Sequence, residues 1–157
     1  MLKSVSVFFI FYFILTSANG FSQDLDSFRI QYEKAVEDKA ICKTLIQKLR
    51  LKQERKEIKS VELAYLGALE TIWANHVLNP LSKLKTFKKG KEKIETAIRQ
   101  NSNDIEIYYL RLSVQKNAPS FLGYNSNIKE DSDFVKKHRH LVTSMILQKH
   151  IASVLKD

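Results

Sequence analysis

The chain has 157 residues, with 26 Lys and Arg against 17 Asp and Glu, for a formal net charge of +9. Four glycines and two prolines are too few to turn the many short strands of an all-β protein, and a single cysteine excludes an internal disulfide framework. The basic surplus favours solubility and contact with acidic partners and carries no information about fold.

Lys3 is the only charge before Asp24, Val7 to Leu15 is unbroken apolar sequence, and Thr16, Ser17, Ala18 and Gly20 supply small residues. This order reads as a secretory signal peptide over residues 1–22, with an apolar core too short to span a bilayer. Cleavage after Gly20 or after Ser22 satisfies the pattern, and the second is the expected site; an uncleaved N-terminal anchor is the rival reading. No cysteine lies near the exit, which argues against a lipid anchor. Residues 23–157 are then one exported domain, long enough for a real core. Its expected location is the bacterial periplasm or exterior, with no transmembrane segment in the mature chain.

Leu25, Phe28, Tyr32, Ala35 and Val36 recur at helical spacing from about Asp24. The pattern falters near residues 37–39 and resumes with Ile41, Leu45, Ile46 and Leu49, so length favours an antiparallel pair over one bent helix. Cys42 sits inside the second stripe and is expected to be a buried, inert thiol. Residues 50–59 are almost wholly charged and form a solvated connection. Glu54 and Glu57 interrupt the run and no aromatic accompanies it, which argues against a nucleic-acid site.

From Ser60, a candidate N-cap, apolar residues are spread nearly all round the helix through Leu63, Leu66, Leu69, Ile72 and Trp73. This is the expected central helix, closed by Asn79 and Pro80, with Ala64, Gly67 and Ala68 letting a neighbour approach closely. The next helix buries Phe87, Gly90, Ile94, Ala97 and Ile98. Asn103 is expected to cap the following one in a box with Glu106, and its two apolar stripes imply another internal helix. A loop over 120–125 carries Phe121, Leu122 and Tyr124. Helices near 127–138 and 141–155 complete the chain.

Residues 87–110 resemble the tetratricopeptide repeat, a pair of antiparallel helices with small residues at their crossing. Gly90 and Ala97 match the small positions, Ile94 the large one between them, and Tyr108 the next aromatic, while Ser102 replaces the turn proline. The resemblance implies antiparallel helical hairpins. The longer run from AYLGALETIWANHVLNP through NAPSFLGY resembles small uncharacterised secreted bacterial proteins and implies no activity. The expected fold is all-α, with five to seven helices packed as antiparallel hairpins in a short tetratricopeptide-like array.

Lys83, Lys85, Lys88, Lys89, Lys91 and Lys93 form the densest basic cluster, read as a solvated helix face partly compensated by Glu92 and Glu95. His138 and His140 lie two apart and do not share a helix face, and no third ligand stands at metal spacing. Nucleophile and phosphate-loop motifs are absent. The carboxylate pairs Glu54/Glu57 and Asp131/Asp133 lie in hydrophilic sequence that would not raise a pKa. No cofactor or enzyme activity is expected, unless distant helices assemble a composite site. The expected function is a non-catalytic interaction or scaffold module, with Lys85, Lys88, Lys89, Lys91, Phe121 and Tyr124 as partner-binding candidates. Its partner would be a protein or an anionic envelope component, and the alternative is a peripheral binder of anionic envelope surfaces.

Overall fold

The structure is a computed structural model describing the backbone of residues 17–156 and the side chains of residues 25–156. Within those residues the chain is all-α. Seven helices follow in order: α1 (Ser17–Ala35), α2 (Lys39–Glu54), α3 (Ser60–Ala74), α4 (Pro80–Gln100), α5 (Ile105–Asn117), α6 (Ile128–His138) and α7 (Met145–Val154). Single 3-10 turns lie at Ser120–Leu122 and Arg139–Leu141. The basic start and apolar core of the expected signal peptide fall outside the described residues, and the expected cleavage position lies within α1. No helix among the described residues is long and apolar enough to cross a membrane.

The two-helix reading of the first third holds, and Asp38 is its cause. Its carboxylate accepts from the N–H groups of Ala40 at 2.8 Å and Ile41 at 3.0 Å, which starts α2 afresh. The far end of α2 is closed without glycine. Lys56 takes φ +60°, its N–H donates to Gln53 O at 3.0 Å, and the Glu57 N–H donates to Lys52 O at 2.9 Å. That six-to-one closure is a Schellman motif with lysine in the left-handed position.

Three expected boundaries shift. Lys59, not Ser60, is the N-cap of α3, and Glu62 accepts from the Lys59 N–H at 2.9 Å. Asn79 and Pro80 do not close α3, which stops at Ala74; they open α4, where Asn79 Oδ1 accepts from the Ser82 N–H at 3.0 Å and Pro80 needs no amide partner. Asp104, not Asn103, caps α5 by accepting from the Glu106 N–H at 2.9 Å. This frees the Glu106 side chain for the interior.

α3 is the central element, packed against α2, α4 and α5. Its most intimate contact is with α4. A Cβ added at Gly67 would lie 2.5 Å from Gly90 O, and one at Gly90 would lie 2.5 Å from Gly67 O. Gly67 also faces Ile94 while Gly90 faces Thr71, so the two helices cross antiparallel with their backbones touching. Only glycine fits both positions. α5 packs across the hairpin, α6 returns against α5, and α7 closes on α1 and α5.

Candidate functional site

Between the C-terminal ends of α3 and α5, the N-terminal half of α4 and the 118–122 turn lies a groove of about 810 Å³. Its floor reaches buried side chains, among them Thr71, Ala74, Phe87 and Val114. Leu81 and Leu84 of α4, Ala118, Pro119, Phe121 and Leu122 of the turn, and Tyr32 and Val36 at the end of α1 all line it. The α4 wall follows from helical spacing. A step of three residues drifts by about 60° round the helix axis. Leu81, Leu84 and Phe87 accordingly pass from 79% through 37% to 7% exposed.

Phe121 is 84% exposed and belongs to the same lining, held in the 3-10 turn that Gly123 closes with φ +60°, a value that favours glycine. Exposed apolar side chains gathered around one open groove are unsatisfied surface, the usual mark of a binding site. Lys83 is the one charged side chain among the described lining residues, which hold no carboxylate, imidazole or thiol. The groove therefore offers apolar contact and one cation.

The expected contact residues divide. Lys85, Lys88 and Lys89 are exposed on the outer face of α4. Lys91 is half-buried, its Nζ 4.8 Å from the centroid of the Tyr124 ring in a cation–π contact. Tyr124 itself is buried, packed edge-on against Phe87, and its hydroxyl donates to Glu95 Oε1 at 2.7 Å. Tyr124 is thus a core plug with its polar atom engaged. Phe121 alone of the loop aromatics faces outward. Glu95 and Lys93 likewise leave the solvated face: Glu95 accepts from Tyr124 and Arg111, and Lys93 donates to Glu70 at 2.8 Å.

Beneath the surface lie three ionic clusters. The guanidinium of Arg29 in α1 grips Glu106 of α5 with two bonds of 2.7 and 2.6 Å and holds Asp26 at 2.5 Å. The Tyr65 hydroxyl donates to the same Glu106, and Ser144 donates to Asp26 at 2.6 Å. Burial and the adjacent Glu106 carboxylate push the Tyr65 phenol well above its ordinary pKa. Asp26 is lowered, first by the Ser144 hydroxyl.

In the second cluster Arg111 forks onto Asp131 at 2.8 and 2.6 Å. The hydrophilic setting expected for Asp131 is wrong: it is fully buried, and desolvation raises its pKa against the pull of Arg111. The third centres on Glu70, shared by Arg50 and Lys93 at 2.8 Å each. These fully engaged carboxylates are structural clamps. A buried pair contributes little net free energy but is strongly destabilising when broken, because a charge is left unpaired in the interior.

Cys42 is fully buried, with its thiol raised to about 11 by desolvation. His150 stacks on Tyr109 and its Nε2 lies 3.3 Å from Glu33, while His76 packs on Trp73. Glu70, the buried acid of the central helix, is committed to its two cations. The lysines from Lys83 onward mask Leu81 and Leu84 in the sequence; their signal is the three-residue spacing that ends on Phe87. No family model, curated protein or solved structure matches the chain.

Proposed function

We propose that the protein is an exported, non-catalytic binding module whose contact surface is the groove between α4 and the Phe121 turn. The observation that carries this is the open apolar cleft itself, with Leu81, Phe121 and Lys83 all exposed in its lining. Apolar surface of this kind is retained at the expense of solubility, and a cleft of several hundred Å³ is the size at which ligands are enclosed. The partner is apolar with a negative charge, in keeping with a chain of net charge +9. The antiparallel α3–α4 hairpin, with glycines at the crossing, supports the likeness to tetratricopeptide hairpins.

The test is fluorescence titration with 1-anilinonaphthalene-8-sulfonate, an apolar anion. Saturable binding should be lost in Leu81→Asp and Phe121→Asp and weakened in Lys83→Glu. Binding of equal strength in all of these variants would refute the groove.

Lys85, Lys88 and Lys89 have no ion-pair partner among the described residues, which favours a second reading, attraction to anionic envelope surfaces. That reading requires sedimentation with anionic vesicles to fall steeply between low and high salt.

A further inference from the structure

We infer that the ligand of this groove is a long-chain carboxylate: one flexible apolar chain ending in one anionic group. The inference rests on reading the groove as the binding surface and adds the class of occupant. Depth is the first reason. The floor lies among Thr71, Ala74 and Phe87, side chains of the core itself. A flexible alkyl chain can run along such a floor and pack against those side chains without bringing any polar backbone with it.

The second reason is polar supply. An extended peptide brings an N–H and a C=O at every residue, and each must be paired once water is excluded. The groove provides only scattered partners for them, such as Asn75, Ser113 and Asn117. An alkyl chain asks for none.

Charge is the third reason. Lys83 is exposed at the rim, so its ammonium can pair a carboxylate while both stay hydrated, and no acidic side chain among the described lining residues opposes an anion there. A neutral chain would leave Lys83 without a role, and a cationic one would be repelled. The volume of about 810 Å³ lies within the range that encloses one small ligand.

The experiment displaces 1-anilinonaphthalene-8-sulfonate from the full chain with saturated carboxylates of increasing length, all below their micelle concentrations. Matched alcohols and phosphatidylglycerol vesicles run alongside. Affinity should rise about fourfold per added methylene until the groove is filled, the factor expected for apolar burial. Carboxylates should displace better than alcohols of equal length, and Lys83→Glu should abolish that preference, read as the ratio of carboxylate to alcohol affinity within the variant.

Displacement independent of chain length, equal affinity for alcohol and carboxylate, or displacement by vesicles alone would each overturn the inference. If the probe binds the groove and no carboxylate displaces it, the ligand class fails while the binding surface stands. If the probe does not bind, both fail. Leu81 and Phe121 are both exposed and come from separate elements, so Phe121→Asp provides the groove control should Leu81→Asp lower the melting temperature.

Discussion

Adding one methyl group at Gly90 should destabilise the protein even though alanine is the better helix former. The new Cβ would stand 2.5 Å from the carbonyl oxygen of Gly67 and 2.8 Å from Thr71 Cγ2. Ordinary contact begins near 3.4 Å, so α3 and α4 would have to part by about 0.9 Å. The methyl of Thr71 can give way; the Gly67 carbonyl is backbone and cannot. A gap of that size forfeits a quarter to a half of the dispersion attraction along the interface.

Overpacking costs typically about 1–3 kcal/mol, and the rigid obstruction places Gly90→Ala at the upper end. Helix propensity returns about 1 kcal/mol. The net loss is about 2 kcal/mol, a fall in Tm of roughly 5–10 °C for a domain of this size. Urea unfolding followed by circular dichroism measures it. Gly67→Ala should cost a similar amount, and the double variant less than the sum, because helices already separated accommodate the second methyl. A Gly90→Ala midpoint equal to or above wild type would refute the backbone-contact crossing.

Four further outcomes follow from the same geometry. Glu106→Gln should cost about 1.5–3 kcal/mol in chemical denaturation, because Arg29 loses its two-bonded carboxylate but keeps Asp26; a Glu106→Gln variant that unfolds like wild type would show the pair to be hydrated. Asp26 has a folded pKa below 3.8, so its contribution is complete above that value and lost as pH falls through the lowered one. The stability difference between wild type and Asp26→Asn should therefore shrink in acid, and Ser144→Ala should move the Asp26 titration upward by NMR. Lys56→Gly should stabilise by about 1 kcal/mol, since lysine at φ +60° bears the left-handed penalty that glycine avoids. Cys42 should resist Ellman's reagent in the folded protein and react in urea; rapid native labelling would contradict its burial.

The helices were legible because their apolar residues keep a 3.6-residue period, and α3 and α5 announced their internal position by having no polar face. Glycines among small residues marked the α3–α4 crossing. Capping was legible only to within a residue: Ser60 and Asn103 satisfy the local rules, yet Lys59 and Asp104 take the positions because the chain leaves the preceding turn one residue out of phase with the expectation. Lys56 gave no warning, since a Schellman closure without glycine carries no sequence mark.

The buried charges were the least legible. Glu106 and Asp131 look like solvated acids until α1 and α5 supply an arginine to each, and that pairing spans 77 residues in one case and 20 in the other. The groove is illegible for a related reason: part of its lining is read along α4, part comes from a turn thirty-odd positions later, and only packing brings them together.

The Arg29–Glu106 and Asp26–Ser144 bonds join the start of the described chain to its end, across separations of 77 and 118 residues. A polypeptide made N-terminus first presents α1 long before either partner exists. Contacts of such separation are slow to close, because the intervening chain must be ordered first. α1 can pack on α2 and α3 as soon as those helices are made, but its polar contacts close in two later stages: the Glu106 pair once α5 exists, and the Ser144 bond only when the start of α7 follows. A chain halted before residue 144 would hold the Arg29–Glu106 pair and leave Asp26 without the Ser144 hydroxyl that does most to lower its pKa.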